Sequence, residues 1–349
     1  MGALKVKSPI DDFTRPGTLV RPLSDGALIC TACGHLCKLR PGQRGVCKVR
    51  FNEDGVLQVP YNYVGGVNND PIEKKPFFHA FPGSLAMSFG MLGCDFHCAY
   101  CQNWFTSQSL RDEASTQRTL TMTPGDVCYL AQQHGSKSVV STYNEPLITS
   151  EWAVEVFQEA RRRGLTTAFV SNGHGTEEVI EYLSPWVDLF KIDLKSFSEK
   201  NYRRLGGNLP AVLETIRRVH ESGMWIEIVT LVVPDYNDSD DELSQIAEFI
   251  ASVSKDIPWH VTGFHPDYNM TDRNSTPVST LLGARKRGLE AGLKFVYSGN
   301  RPGQVDNTES TFCPKCETLL IERVGFRVHT NKLDSGACFH CRQPVPGRW

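Results

Sequence analysis

Short apolar runs alternate along the middle of the chain with stretches whose apolar positions repeat at helical spacing. The runs predict strands at 85–91, 138–142, 166–170, 187–192, 226–232 and 260–264. The stretches predict helices around 124–134, 150–163, 176–184, 208–222, 239–254 and 277–292. Right-handed crossovers curl parallel βα units of this kind into an open barrel. We therefore expect an α/β fold, a partial (βα)6 TIM-type barrel with functional side chains at the carboxyl ends of its strands.

The two ends of the chain have a different pattern. Residues 1–80 combine a polar, Pro-rich arm with a cysteine cluster, and residues 52–55 resemble the turn of a small hairpin. Residues 301–349 carry paired cysteines and short β-like runs such as 319–324. The expected organisation is an N-terminal metal-binding region (1–80), the barrel (81–300) and a small C-terminal metal-binding module (301–349).

Composition narrows the function classes. The chain has 349 residues, 40% hydrophobic and 22% charged, which is enough apolar material for a core and excludes a disordered chain. A net charge of -2 argues against nucleic acid as a partner. Because no apolar run is long enough to span a bilayer and the N-terminus has no apolar signal core, we expect no membrane association and a cytoplasmic location.

Cysteine is the most informative residue type. Eleven of the twelve cysteines fall into three clusters: Cys30, Cys33, Cys37 and Cys47; Cys94, Cys98 and Cys101; and Cys313, Cys316, Cys338 and Cys341. Disulfide frameworks belong to short secreted chains, so clusters of this kind in a long chain favour metal or iron–sulfur ligation. Cys128 stands alone on an apolar helical pattern and is expected in the core.

The central cluster, in GCDFHCAYCQNW, has the spacing Cys-x3-Cys-x2-Cys. Three thiolates can hold three irons of a [4Fe-4S] cube, which leaves the fourth iron open to a substrate or cofactor. The alternative is a zinc site completed by His97.

This loop resembles the signature of the radical SAM superfamily, with the aromatic Tyr100 before the last cysteine. The resemblance extends over almost the whole chain, through DPIEKKPFFHAFPG, TYNEP and VYSGNRPG with its two Cys-x2-Cys pairs. It is nearest to the pyruvate formate-lyase-activase-like branch, and within that to the radical SAM enzyme of the AmmeMemoRadiSam system.

The resemblance implies that Cys94, Cys98 and Cys101 are catalytic cluster ligands and that the open iron binds S-adenosylmethionine (SAM). It also implies that SAM is contacted at Asn103, Asn144, Glu145, Ser171, Asn172, Asp193, Lys195 and His265. Within TYNEP, Tyr143 and Asn144 stand where the family usually has glycines. Apart from Asn103, which belongs to the cluster loop, each of these positions follows a strand predicted from periodicity alone.

The implied reaction is one-electron cleavage of SAM, which in most of the superfamily gives a 5′-deoxyadenosyl radical. Partners would be an electron donor and either a small-molecule substrate or a protein to be activated. Two alternatives remain open: transfer of a 3-amino-3-carboxypropyl group from SAM, and a non-catalytic zinc-binding scaffold.

The flanking cysteine clusters have four members each. Cys313, Cys316, Cys338 and Cys341 have the spacing of two knuckles around one zinc or iron, with zinc preferred. Cys30, Cys33, Cys37 and Cys47 fit zinc, with His35 as a competing ligand, or an auxiliary iron–sulfur cluster, and zinc is again preferred. Thiolate number alone does not separate these metals.

Residues 70–82 mix charged and aromatic side chains, among them Lys74, Lys75, Phe78 and His79. The segment is either a structured entry to the first strand or part of the substrate mouth, and the sequence does not distinguish the two.

Overall fold

The structure, a computed structural model, describes residues 10–115 and 117–349. An eight-stranded sheet forms its centre. The strands are β1 (Gly66–Pro71), β2 (Leu85–Gly90), β3 (Ser138–Ser141), β4 (Thr166–Ser171), β5 (Leu189–Asp193), β6 (Trp225–Val232), β7 (Trp259–Gly263) and β8 (Val296–Gly299). They lie in the sheet in chain order, with β1 antiparallel to β2 and every other pair parallel.

Helices connect the parallel strands. They are α1 (Trp104–Ser107), α2 (Pro124–Gln133), α3 (Ser150–Arg162), α4 (Glu177–Leu183), α5 (Glu199–Leu205), α6 (Leu209–Glu221), α7 (Asp240–Val253) and α8 (Val278–Glu290). Their starts follow from sequence: Thr123 and Asp126 form a reciprocal capping box at α2, and Ser239 caps α7. Short 3-10 turns occupy Ser24–Gly26, Ile72–Lys74 and Pro146–Thr149.

The predicted α/β partial barrel is confirmed, and the predicted strand and helix ends differ from the observed ones by two residues at most. Among the sheet strands and α-helices named above, four were missed: β1, β8, the four-residue α1, and α5. Strand β1 reads GVNNDP, without apolar alternation, because it is a half-exposed edge strand. Strand β8 has only four residues, and α5 has seven.

The N-terminal region packs as two small antiparallel sheets. One joins Thr14–Pro16, Val56–Pro60 and Phe51–Glu53, and the other joins Val20–Pro22, Leu28–Cys30 and Lys38–Leu39. The predicted hairpin turn is confirmed, with Asp54 at φ 49° and Gly55 at φ 91°. A further pair, Tyr63–Val64 with Leu120–Thr121, lies beside the barrel.

The C-terminal module contains the strands Thr311–Phe312, Leu319–Val324, Arg327–Asn331, Leu333–Asp334 and Ala337–Cys338. The predicted strand at 319–324 is confirmed. The module packs on the barrel through a buried cluster that includes Phe78, Phe295 and Tyr297. Buried Arg323 fixes this contact by donating to the Phe78 carbonyl oxygen at 2.7 Å. Among the helices that the structure describes, none is long and apolar enough to cross a membrane.

Candidate active site

A cavity of about 510 Å³ opens at the carboxyl edge of the parallel strands. The loops after β2, β3, β4 and β5 supply most of its polar lining. Val170, Val229 and Leu231 supply an apolar wall from the strands themselves. Val229 pairs with Asp193 at the same level of the sheet, so the cavity has an apolar side next to its polar one.

The cysteine loop lies between β2 and α1. Cys94, Cys98 and Cys101 all line the cavity. The Phe96 N–H donates to Cys94 Sγ at 3.3 Å, and Cys101 Sγ is 3.1 Å from Ser107 Oγ. These groups stabilise negative charge on sulfur.

The geometry of the loop fits a multi-iron cluster. The ligand atoms of a single ion would all lie within 4.8 Å of one another, and the three sulfurs do not. His97, the fourth ligand of the alternative zinc site, is exposed and does not line the cavity. In the described ranges 10–115 and 117–349, no fourth cysteine lines the cavity. The donor set therefore fits three irons of a cube and leaves one iron without a protein ligand.

The segment after β3 is held in an unusual conformation. Tyr143 has φ 72°, the left-handed region that glycine favours, and its hydroxyl lies 3.2 Å from Lys75 Nζ. Asn144 Oδ1 accepts from the Met91 N–H at 3.0 Å. A Cβ on Gly90 would lie 2.3 Å from the Thr142 carbonyl oxygen. The TYNEP segment therefore packs tightly against the end of β2 in a conformation that suits the glycines usual in the family.

Glu145 is fully enclosed. Its carboxylate accepts from Ser171 Oγ at 2.6 Å, the Asn172 N–H at 2.7 Å and the Leu147 N–H at 3.0 Å. Burial, and then the negative charge of Asp95, raise the pKa of the Glu145 carboxyl. The carboxylate ties the ends of β3 and β4 together and still has acceptor capacity on the oxygen bonded to Asn172.

Three charged side chains meet at the carboxyl end of β5: Lys191 and Asp193 on the strand and Lys195 just after it. Lys191 and Lys195 both donate to the Asp193 carboxylate, Lys195 at 3.0 Å. Burial alone would raise the pKa of the Asp193 carboxyl, but the two ammonium groups outweigh it and lower that pKa to about 2. The triad carries a net positive charge into the cavity.

A second buried network supports the cysteine loop from behind. Asp95 accepts from Asn172 Nδ2 at 2.8 Å and from His174 Nδ1 at 2.9 Å. The other ring nitrogen of His174 lies 2.8 Å from Asn208 Nδ2. Asp95 and His174 are both completely buried, so this network fixes Asn172 relative to the cysteine loop.

The structure brings together all but one of the predicted SAM contacts. The residues that line the cavity are Asn103, Asn144, Glu145, Ser171, Asn172, Asp193 and Lys195. His265 lies outside the lining with its side chain 56% exposed, and its Nδ1 is 3.3 Å from Nε2 of Gln102, which does line the cavity.

Sequence reasoning missed several lining residues. Lys191 could have been predicted from the sequence, since strand periodicity puts it on the same face as Asp193. Asn300 and Phe326 could not, because they reach the cavity from distant parts of the chain. In the segment 70–82, Phe78 and His79 are buried, as expected of a structured entry to β2. Lys74 and Lys75 line the cavity, and a role in the substrate mouth stays a prediction.

The C-terminal cysteines converge on one point. All four sulfurs lie within 4.8 Å of one another, with Cys313 and Cys341 3.6 Å apart and Cys316 and Cys338 3.7 Å apart. A tetrahedral ion with sulfur at ~2.3 Å separates its ligands by just under ~4 Å. The site therefore fits one metal ion. Cys128, as predicted, is a buried core residue.

The chain is similar to several known proteins. The family model of the radical SAM superfamily matches residues 90–250. An uncharacterized protein of Methanocaldococcus jannaschii is 37% identical over 322 residues, covering 92% of this chain and 95% of that protein. The pyruvate formate-lyase-activating enzyme of Staphylococcus aureus is 24% identical over 188 residues, 50% of this chain and 74% of that enzyme. A solved radical SAM methyltransferase from Sphaerobacter thermophilus has a TM-score of 0.48 at 15% identity, covering 68% of this chain and 71% of that one.

The matched region begins at the last residue of β2 and ends within α7, so it contains the cysteine loop and four of the strands that border the cavity. The archaeal relative extends the similarity to nearly the full length of both chains. The chain belongs to the radical SAM superfamily, enzymes that combine an iron–sulfur cluster with S-adenosylmethionine for radical chemistry, and it resembles the branch of the pyruvate formate-lyase-activating enzymes.

Proposed function

We propose that this enzyme binds SAM in the cavity at the carboxyl edge of the sheet and cleaves it to a 5′-deoxyadenosyl radical. The radical then takes hydrogen from a small-molecule substrate or from a protein that the enzyme activates. The observation that carries the proposal is the set of three thiols, with no fourth in the described lining, facing polar strand ends.

Cys94, Cys98 and Cys101 would hold three irons of a [4Fe-4S] cluster, and the fourth iron would chelate the amino and carboxylate groups of SAM. When bound and reduced, the cluster supplies the single electron that breaks a C–S bond of the sulfonium. The protein's part is to orient SAM and to exclude water. Val170, Val229 and Leu231 support the latter role because they give the cavity an apolar wall.

The charged side chains of the cavity suit the charges of SAM. The free acceptor capacity of Glu145 suits the methionyl ammonium, and the positive triad on β5 suits the carboxylate. We propose Asp193 and Lys195 as ribose and carboxylate contacts, with Ser171 and Asn172 beside them. Asn103, Asn144 and, at the rim beside Gln102, His265 complete the proposed set.

For the C-terminal module we propose zinc at Cys313, Cys316, Cys338 and Cys341. A closed site of four thiolates at single-ion spacing leaves no open position for chemistry, which supports a structural role. The module also contributes Phe326 to the cavity, so metal binding there would hold one side of the substrate mouth.

The test is product analysis under anaerobic conditions. The full chain is reconstituted with iron and sulfide, reduced with dithionite and supplied with SAM, and the fragments are identified by mass spectrometry. 5′-Deoxyadenosine with methionine supports the proposal. 5′-Methylthioadenosine in its place would favour transfer of the aminocarboxypropyl group.

Two variants make the result specific. Cys98→Ala removes a cluster ligand and should abolish both cluster assembly and SAM cleavage. Cys128→Ala removes a buried thiol that does not line the cavity and should leave both intact. If the unaltered enzyme gives no more product than Cys98→Ala and assembles no cluster, the non-catalytic scaffold replaces the enzyme as the interpretation.

A further inference from the structure

The four N-terminal cysteines lie together in the fold. The Cys30 N–H donates to the Cys37 carbonyl oxygen at 3.0 Å. A Cβ on Gly45 would lie 3.6 Å from Cys37 Sγ and 3.7 Å from Cys47 Sγ. Cys30, Cys33 and Cys47 are each only 6% exposed. Thiols that are close together and buried, and that form no disulfide, are typical of a metal-binding site.

Their spacing is unlike that of the C-terminal cysteines. Within the described residues, no three of these four sulfurs lie within 4.8 Å of one another, whereas all four C-terminal sulfurs do. A single tetrahedral ion draws its thiolates together, while a cube binds one thiolate to each iron and keeps them farther apart. The sulfurs of Cys94, Cys98 and Cys101 likewise do not all lie within 4.8 Å of one another. We therefore propose that Cys30, Cys33, Cys37 and Cys47 hold a [4Fe-4S] cluster and not zinc.

The surroundings of the sulfurs suit a cluster with net negative charge. A cationic donor reaches one of the four sulfurs directly. Arg50 Nε donates to Cys30 Sγ at 3.2 Å, and both groups are buried. Hydrogen bonds to cluster sulfurs are one of the means by which proteins set the reduction potential.

Arg50 is held in place for this contact. It is 1% exposed and makes a two-bond ion pair with Glu151 of α3, at 2.6 and 2.8 Å. Its remaining Nε–H is directed at Cys30 Sγ. Because a planar guanidinium presents its donors in a fixed arrangement, the ion pair with the barrel determines where the sulfur donor lies.

A competing site can be set aside on geometry. Cys33, Asp95 and His174 are close enough together to hold one ion. Both ring nitrogens of His174 are already engaged, by Asp95 and Asn208, and Asp95 also accepts from Asn172. No lone pair of the imidazole remains for a metal.

The proposed cluster would be a close neighbour of the cluster in the barrel. A carboxylate oxygen of Asp95 lies within 4.8 Å of Cys33 Sγ, and Asp95 Oδ1 is 3.9 Å from Cys94 Sγ. A single side chain therefore separates the two sets of ligands. Two reduced, paramagnetic clusters this close should broaden each other's electron paramagnetic resonance (EPR) signals.

The test counts metal in a variant that lacks the barrel cluster. Cys94→Ala/Cys98→Ala/Cys101→Ala is reconstituted beside the unaltered chain, and iron, acid-labile sulfide and zinc are measured. We expect about eight irons per unaltered chain and about four in the variant, which should keep an EPR signal after reduction. The signal of the variant should be narrower than that of the unaltered chain.

The opposite result is equally clear. If the variant holds zinc, or a single iron without sulfide, in place of the second cluster, the proposal is wrong. The C-terminal ion, one per chain, and the far-ultraviolet circular dichroism report whether the variant is folded. Because the variant lacks the barrel ligands, its iron content reports on the N-terminal site whether or not the proposed SAM cleavage is correct. A second variant, Cys33→Ala/Cys47→Ala, should lose the same four irons and keep the barrel cluster.

Discussion

Replacing Asp193 by asparagine should expose the electrostatic balance of the cavity. Asp193 is the shared counter-ion of Lys191, which is 5% exposed, and of Lys195, which is 16% exposed. Asparagine keeps the size of the side chain but removes the charge. The variant would then hold two ammonium groups near each other at the edge of the sheet with no carboxylate between them.

The pKa of Asp193 gives the magnitude. A shift from the ordinary 3.8 to about 2 means that the folded state favours the carboxylate by about 2.5 kcal/mol. A carboxyl with a lowered pKa stabilises the fold above its ordinary pKa and loses that contribution as the pH falls toward 2. The full contribution is therefore present at pH 7.5, and Asp193→Asn should reduce the free energy of unfolding by about 2 to 3 kcal/mol.

Urea unfolding of a double-mutant cycle tests the reasoning. The proteins are the unaltered chain, Asp193→Asn, Lys191→Met and the double variant, all loaded with metal under anaerobic conditions. In the Asp193→Asn background, Lys191→Met removes an unpaired buried cation, so it should lower the free energy of unfolding much less than it does in the unaltered chain. The coupling energy between the two substitutions should exceed about 1.5 kcal/mol. Asp241→Asn, on the exposed first turn of α7, should cost less than about 1 kcal/mol.

The cycle can refute the assignment directly. If the two single effects add to within about 0.5 kcal/mol, the charges do not interact and the lowered pKa of Asp193 has another origin. A second readout follows from the proposed function, since Asp193→Asn should also weaken SAM binding. Loss of stability without weaker SAM binding would keep the electrostatic argument and remove Asp193 from the SAM site.

Three further perturbations address other parts of the molecule. Burial lowers the pKa of His79 to about 4, so as the pH falls this histidine is protonated in the unfolded chain before it is protonated in the folded one. The free energy of unfolding should therefore drop by about 2 kcal/mol between pH 7 and 5, and His79→Gln should remove that part of the pH dependence. Gly90→Ala puts a Cβ 2.3 Å from the Thr142 carbonyl oxygen and should lower both the melting temperature and the affinity for SAM. Gly66→Ala is the control, because its added Cβ makes only an ordinary contact at 3.7 Å. Glu227→Gln neutralises a fully buried carboxylate that accepts four N–H donors and should cost about 3 kcal/mol in urea unfolding; a cost below about 1 kcal/mol would contradict the assigned network.

The sequence predicts the regular part of the barrel because strands and helices there have strong, distinct periods. The same regularity predicts where polar residues such as Asn172 and Asp193 gather, since parallel strands end at one edge. Strand β1 escapes prediction because an edge strand needs no apolar alternation. Phe326 escapes because its place in the cavity depends on how the C-terminal module docks on the barrel, which no local pattern encodes.

The conformation of TYNEP shows a different limit. The family resemblance locates the segment, and the substitution of the usual glycine by Tyr143 is visible in the sequence. The left-handed backbone at that position is not, because side chains with a Cβ rarely adopt it. Lys75 stabilises Tyr143 in this conformation. Its Nζ donates to the Tyr143 hydroxyl and lies 4.6 Å from the centre of the ring, and these two contacts offset the backbone strain.

The three cysteine clusters show why spacing along the chain gives the number of ligands but not the metal. Both four-membered clusters contain a Cys-x2-Cys pair, so their sequences favour the same ion. Their sulfurs are arranged differently because the C-terminal pairs face each other within one small module, whereas the N-terminal cysteines are distributed over a sheet and a loop that pack against the barrel. Since one ion needs converging ligands and a cube needs separated ones, we propose that tertiary packing selects the metal at each site. Arg50 links the two parts of the fold, because it donates to Cys30 in the N-terminal region and forms an ion pair with Glu151 in the barrel. The arrangement of the N-terminal cysteines therefore depends on both the N-terminal region and the barrel.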